Sequence, residues 1–112
     1  MINAFIQNSL GDEFSAGTVS LETIPKEFIK NFAKDHPEEA ASLFGGSAEL
    51  QKALNSGFAI DSSTSSISLM NGSDYIPLSW EDPLSEQGDN VKEIVKNSNS
   101  LIFVVTMAMP NA

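Results

Sequence analysis

The fold of this chain is decided by residues 100–109, which read SLIFVVTMAM. This is the longest apolar run in the sequence, and its β-branched and aromatic residues favour a strand. Apolar and polar residues do not alternate along it, which predicts that both of its faces are covered. We therefore expect an interior strand, with helices against Leu101, Phe103 and Val105 and with more protein over Ile102 and Val104.

Upstream of this strand, residues 25–56 have the pattern of a block of short helices. Pro25 suits the first helical position, where its missing N–H would have no partner in any case. His36-Pro37 ends the first helix and Gly45-Gly46 ends the second, while Ser47 can cap a third. The apolar stripe that should bury the first helix consists of Phe28, Ile29, Phe32 and Ala33. The block predicts a helical layer over one face of a sheet.

Two hairpins are predicted to supply the remaining strands. Residues 2–8 and 17–22 alternate apolar and polar side chains on either side of a turn region. The second hairpin is expected over residues 67–76, where Asn71-Gly72 suits a type I′ turn. Pro77 then places the second arm at a sheet edge, because proline cannot donate to a strand ladder.

A last short helix is predicted just before the interior strand. Asp89 or Asn90 could cap it, and its buried side would consist of Val91, Ile94 and Val95. We find no internal repeat and no domain boundary. The sequence therefore predicts a single domain over residues 1–112, of class α+β, with an antiparallel or mixed sheet.

Composition limits the class of protein and the cellular compartment that we expect for this chain. Its 112 residues are 41% hydrophobic and 19% charged, as in ordinary globular domains. Cysteine is absent, so disulfides and zinc–thiolate sites are excluded. The first residues lack the basic segment of a secretory signal, and the apolar run at 100–109 is about half of a membrane span. We expect a cytoplasmic protein.

Charge is the strongest compositional signal. Fifteen acidic residues against six basic ones give a formal charge of -9, and every basic residue is a lysine. Direct nucleic-acid binding and binding to anionic membranes are disfavoured, since both need cations against phosphate. A basic protein partner would be attracted instead. The alternative is that the acidity only keeps a small domain soluble.

Motifs for catalysis or for cofactors are lacking. No nucleophile elbow, Ser-x-x-Lys set or phosphate-binding loop occurs. His36 is the only imidazole, and its neighbours Asp35, Glu38 and Glu39 are possible metal ligands. Acidic residues at a helix N-terminus explain that cluster equally well. We predict no enzyme, no cofactor and no metal.

The distribution of charge points to one region of the chain. Between Lys52 and Lys92 there is no basic residue, while six acidic residues fall there, including Asp61. Aromatic anchors surrounded by charge are common in tight protein interfaces. The predicted partner-binding residues are Asp74, Tyr75, Trp80, Glu81, Asp82, Glu86 and Asp89. Alternatively, Tyr75 and Trp80 are core residues and the carboxylates belong to an ordinary solvated loop.

In size, acidity and absence of Cys and Arg the chain resembles the immunity proteins of bacterial toxin–immunity pairs. The resemblance implies a cytoplasmic inhibitor that covers the basic cleft of a toxin, such as a nuclease. It rests on overall profile, including the lysine-free stretch from Ala53 to Val91, and on no motif. Three alternatives stay open: a small enzyme, a structural or assembly subunit, and a nucleic-acid mimic that inhibits a DNA-binding protein. Oligomeric state is not predicted.

Overall fold

In the computed structural model, which describes residues 2–8, 11–44, 46–55 and 65–107, five strands form one mixed sheet beside four α-helices. The predicted α+β class and helical block are thereby confirmed. In chain order the elements are β1 (Ile2–Gln7), β2 (Glu13–Val19), α1 (Pro25–Asp35), α2 (Pro37–Phe44), α3 (Ser47–Asn55), β3 (Ser65–Asn71), β4 (Asp74–Leu78), a 3₁₀ turn (Leu84–Glu86), α4 (Asp89–Asn97) and β5 (Ser100–Met107).

The interior position of β5 is confirmed. The strands are ordered β2-β1-β5-β3-β4, so β5 is central, with two strands on each side. It pairs parallel to β1 and antiparallel to β3, and the two hairpins β1–β2 and β3–β4 complete the sheet. Ala108, Met109 and Pro110 lie outside the described residues, as does Asp61.

One face of the sheet is buried under the helices. Leu101, Phe103 and Val105 are buried as predicted, and the Phe28 ring of α1 lies 5.2 Å from the Phe103 ring. The apolar stripe of α1 is buried with them in a single core cluster. On the other described strands, the buried residues that share this face are Ala4, Ile6, Val19, Ile67 and Leu69. Packing against this cluster is what stabilises helices this short.

The second face of the sheet is less buried than the first. Ile102 and Val104 are only partly buried, and every buried residue of the described strands points to the helical side. Both residues are intermediate in exposure, so this side of β5 is partly covered rather than bare. The run lacks alternation because apolar residues occupy both of its sides. We call this side the open face.

The ends of α1 and the start of α2 lie where the sequence predicts them, whereas the N-cap of α4 does not. α1 begins at Pro25, and the His36 N–H donates to the Phe32 carbonyl before Pro37 starts α2. The cap of α4 is Gly88 rather than Asp89 or Asn90. Gly88 has a φ of 104°, which lets the loop turn sharply into the helix and which only glycine adopts readily.

The first hairpin contains a β-bulge that displaces the predicted second strand. Asn3 pairs with Thr18 and Phe5 with Ser15, so two residues of β2 lie opposite Ala4 alone. One of the two is Gly17, with a φ of 79°. The strand therefore begins at Glu13 and ends at Val19, earlier than the predicted 17–22, because the bulge hides the alternation upstream of Gly17.

The second hairpin is present, but its turn is shifted by one residue. Asn71 pairs with Asp74, so the two loop residues are Gly72 and Ser73 rather than Asn71 and Gly72. Gly72 has a φ of 65°, which a two-residue hairpin turn requires at its first position. Pro77 lies in β4, an edge strand of the sheet, as expected.

Candidate partner-binding surface

The seven predicted partner-binding residues fall into two groups. Asp74 and Tyr75 begin β4, at the tip of the second hairpin, and Tyr75 pairs with Met70 on the open face. The other five, from Trp80 to Asp89, lie beyond the far end of β4, about 13 Å along the strand from Asp74. We call residues 79–89 the acidic loop. Tyr75 therefore faces the open side, whereas the acidic loop is attached to the helical side.

Backbone hydrogen bonds attach the acidic loop to the segment that leads into α1. The Lys26 N–H donates to the Trp80 carbonyl at 2.8 Å. Further along, the Leu84 and Ser85 N–H groups donate to the carbonyls of Thr23 and Leu21 at 3.0 and 2.9 Å. Three backbone bonds over six residues fix the path of a loop that has no strand partner.

A glutamine side chain closes the turn at the start of the acidic loop. Gln87 accepts from the Ser79 N–H at 2.7 Å through Oε1. Its Nε2 donates to the carbonyls of Ser79 and Asp82, both at 2.8 Å. The carboxylates of Glu81 and Asp82 thus extend into solvent from a backbone that is held on both sides. Such preorganisation lowers the entropy cost of binding.

The two aromatic residues have different environments. Trp80 is half-buried and packs against the core, which favours its structural interpretation. Tyr75 is 58% exposed, more than any other large hydrophobic side chain described, and remains a candidate anchor. Leu84 is fully buried and fastens the loop to the core. It is the only aliphatic residue between Leu78 and Val91, a signal that could have identified it from sequence.

The acidic loop has a compensating cation from another element, which its own lysine-free stretch of sequence does not reveal. The Lys26 ammonium lies 3.9 Å from the Glu81 carboxylate, because the first turn of α1 lies against the loop. An exposed pair of this kind contributes little to stability, but it reduces the charge that Glu81 offers to a partner. Asp82, Glu86 and Asp89 are exposed and constitute the charge that we assign to the loop.

Replacing Gln87 by Ala should loosen the acidic loop while leaving the fold intact. Three hydrogen bonds to the loop backbone would be lost, and water would replace part of them, at a net cost of about 1 kcal/mol. We expect faster hydrogen exchange at the Ser79 amide, measured by NMR. Gln51→Ala, at an exposed position of α3, is the matched control. An unchanged Ser79 exchange rate in Gln87→Ala would contradict the clamp.

The surroundings of His36 differ from those of a metal site. Its exposed ring lies 5.2 Å from the Phe32 ring at the junction of α1 and α2. Within the described ranges, no group of three His, Asp or Glu side chains is arranged to hold a metal ion. The acidic residues Glu38 and Glu39 occupy the first turn of α2, where their negative charges interact favourably with the positive end of the helix dipole.

A groove of about 440 Å³ lies between the end of β2 and α4. Its polar residues include Ser20, Glu22 and Lys96, and the Ser20 hydroxyl donates to the Glu22 carboxylate at 3.0 Å. No imidazole is among its lining residues, so Ser20 has no histidine base there. The groove is one place among the described residues where the small-enzyme alternative could be tested.

Comparisons of the chain with models of protein families, with curated proteins and with solved structures found no match. In the part of the chain that the structure describes, no helix is long and apolar enough to cross a membrane. Function must therefore be argued from the surfaces themselves. The acidic loop and the open face are the two that stand out, one by charge and the other by its lack of charge.

Proposed function

We propose that this chain is a small acidic binding protein that neutralises a basic protein partner, as an immunity protein neutralises the toxin of its bacterial pair. The observation that carries the proposal is the acidic loop. Its backbone is held by hydrogen bonds to Leu21, Thr23 and Lys26 and by the Gln87 side chain. The side chains of Asp82, Glu86 and Asp89 are exposed. A negatively charged loop whose backbone is held in place suits contact with a basic surface such as a toxin cleft.

Charge acts first on the encounter rate. A net charge of -9 attracts a basic surface over the distance of a Debye length, about 8 Å at physiological salt. Such steering raises association rates by roughly 10 to 1,000-fold, and the gain falls as salt is added. Affinity then depends on close contacts, for which Tyr75 at the hairpin tip is the exposed aromatic candidate.

Neutralising Asp82, Glu86 and Asp89 together, as Asp82→Asn, Glu86→Gln and Asp89→Asn, tests the proposal. Glu81 is left in place because Lys26 already lies against it. A partner is first captured on the immobilised wild-type chain, and its association rate is then measured in stopped flow at several salt concentrations. We expect the triple variant to associate about tenfold more slowly at low salt, with a shallower salt dependence.

The matched control removes three exposed carboxylates elsewhere, as Glu13→Gln, Asp35→Asn and Glu38→Gln. Both triple variants carry a charge of -6 instead of -9, so they differ only in where charge is lost. Equal association rates in the two variants would mean that net charge alone acts. Rates and salt slopes equal to wild type in the loop variant would overturn the role of the acidic loop.

A separate test concerns the anchor. Replacing Tyr75 by Ala should speed dissociation of the captured partner while leaving its association rate nearly unchanged, because a contact residue acts after the encounter. Phe5, whose side chain also lies on the open face, provides a comparison in Phe5→Ala. If Tyr75→Ala leaves the dissociation rate unchanged, Tyr75 is outside the interface and the anchor must be sought on the acidic loop itself.

A further inference from the structure

The tip of the second hairpin has a reactive pair of residues. Asn71 is followed by Gly72, and an asparagine followed by glycine occurs only once in the sequence. The backbone nitrogen of the residue after an asparagine can attack the side-chain amide carbon, because the product is a five-membered ring. Glycine favours this attack more than other residues, since it has no Cβ to hinder the approach and its backbone is the most flexible. The sequence therefore concentrates this chemistry at Asn71.

The structure leaves both reacting groups accessible. Asn71, Gly72 and the three residues that follow them are exposed. Within the described residues, the side-chain amide of Asn71 has no hydrogen-bond partner that would hold it away from the backbone. The strand pairing ends at Asn71 and Asp74, so the Gly72 nitrogen lies outside the ladder. A Cβ built on Gly72 would meet no atom within 4 Å, so there is open space around this residue.

The attack requires one rearrangement, which the position of the hairpin permits. Asn71 must leave the extended strand conformation before its side-chain carbon comes within reach of the Gly72 nitrogen. Only the terminal pair of Asn71 with Asp74 has to open, and β4 is an edge strand of the described sheet. Terminal pairs of this kind open at a small fraction of the free energy of global unfolding. The fold therefore slows the reaction without preventing it.

We propose that Asn71 is a site of self-modification, at which the folded chain converts its own asparagine to isoaspartate and aspartate. The Gly72 nitrogen bonds to Cγ of Asn71, its proton passes to the departing amide nitrogen, and that nitrogen leaves as ammonia. Water then opens the ring at one of its two carbonyl carbons. Opening at Cγ gives aspartate, whereas opening at the main-chain carbonyl carbon gives isoaspartate, in which the chain runs through the former side chain. Water is the only co-reactant.

Either product changes the hairpin tip. Isoaspartate adds a methylene group to the backbone before Gly72, so residue 71 can no longer keep its register opposite Asp74. Aspartate places a second carboxylate directly across from Asp74, and like charges in that arrangement are destabilising. Both products make the net charge more negative by one, from -9 to -10. Because ammonia is lost, the change is irreversible, and altered tips accumulate as the protein ages.

Ageing the whole folded chain in a mildly alkaline buffer tests the proposal, because base activates the attacking nitrogen. Mass spectrometry of peptides detects the gain of about 1 Da when OH replaces NH₂, fragment spectra assign it to a residue, and an isoaspartate methyltransferase labels the isoaspartate. Asn99 is the internal control, since it is also exposed but is followed by Ser100. We expect Asn71 to react severalfold faster than Asn99 in the same sample.

Three variants identify the reacting groups. Asn71→Gln should abolish the reaction at this position, because attack on the longer side chain would form a six-membered ring far more slowly. Gly72→Ala should slow it severalfold, since the added Cβ hinders the approach. The matched control Asn99→Gln should leave the rate at Asn71 unchanged. Equal rates at Asn71 and Asn99 in the folded chain would overturn the proposal, as would modification of Asn71 in urea but not in the folded chain.

A second readout concerns the hairpin itself. The extra charge separates the modified chain from the unmodified chain by ion exchange, and NMR then compares their amide resonances. We expect shifts at Met70 and Tyr75, which form the next pair of the ladder, and none at the distant pair of Ile2 with Val19. Unchanged resonances at Met70 and Tyr75 would contradict an altered tip. These measurements use no partner, so they are independent of the tests of the acidic loop.

Discussion

Replacing Phe103 by Ala is expected to lower the free energy of unfolding by about 3–5 kcal/mol, most of the stability of a domain this size. Phe103 is 1% exposed at the centre of the central strand. It pairs with Ile6 and Leu69 on the two neighbouring strands, and its ring contacts that of Phe28 in α1. The cavity would therefore open where both halves of the sheet meet the helical layer.

The neighbouring residue Ile102 gives the matched control for this prediction. It lies on the same strand but points to the open face and is only partly buried. Ile102→Ala should cost roughly 1–2 kcal/mol, since less area is removed from contact and no closed cavity forms. Urea denaturation of both variants measures the difference. Equal losses would mean that the two faces of β5 are equally covered.

Replacing Gly72 by Val is expected to cost about 2–3 kcal/mol. Gly72 has a φ of 65°, which a β-branched residue resists. An added Cβ would meet no atom within 4 Å, so the loss would come from backbone strain rather than from a clash. The same denaturation experiment applies, together with NMR of the β3–β4 amides.

A graded series sharpens this second test. Gly72→Ala adds a Cβ without branching and should cost less, about 1–2 kcal/mol. The order glycine, alanine, valine then reports how strictly the turn requires a positive φ. Wild-type stability in Gly72→Val would show that the turn relaxes to another conformation.

Local features of the fold could be predicted from sequence because their signals lie within a few residues. The apolar run of β5, the start of α1 at Pro25 and the existence of the second hairpin are examples. The register of that hairpin was missed by one residue, since Asn-Gly and Gly-Ser pairs both suit two-residue turns. The bulge at Gly17 was missed because it breaks the alternation on which strand prediction relies.

The candidate site was harder to predict, because its geometry depends on contacts between distant segments. Nothing near Gln87 in the sequence indicates that it would bind Ser79 and Asp82, and nothing near Lys26 indicates Glu81. The lower burial of the open face could not be predicted for another reason. Ile102 and Val104 are apolar, and an apolar residue on a partly exposed sheet face has the same sequence signature as one in the core.

The central pair of the sheet has a consequence for how the chain is made. β1 and β5 are paired although Asn3 and Ser100 stand at opposite ends of the described sequence. Until β5 leaves the ribosome, the hairpins β1–β2 and β3–β4 have no strand to join them, and each exposes an inner edge and an apolar side. Contacts of this sequence separation slow folding and leave nascent chains prone to aggregation. A chain that stalls before Ser100 should therefore depend on chaperones for its solubility.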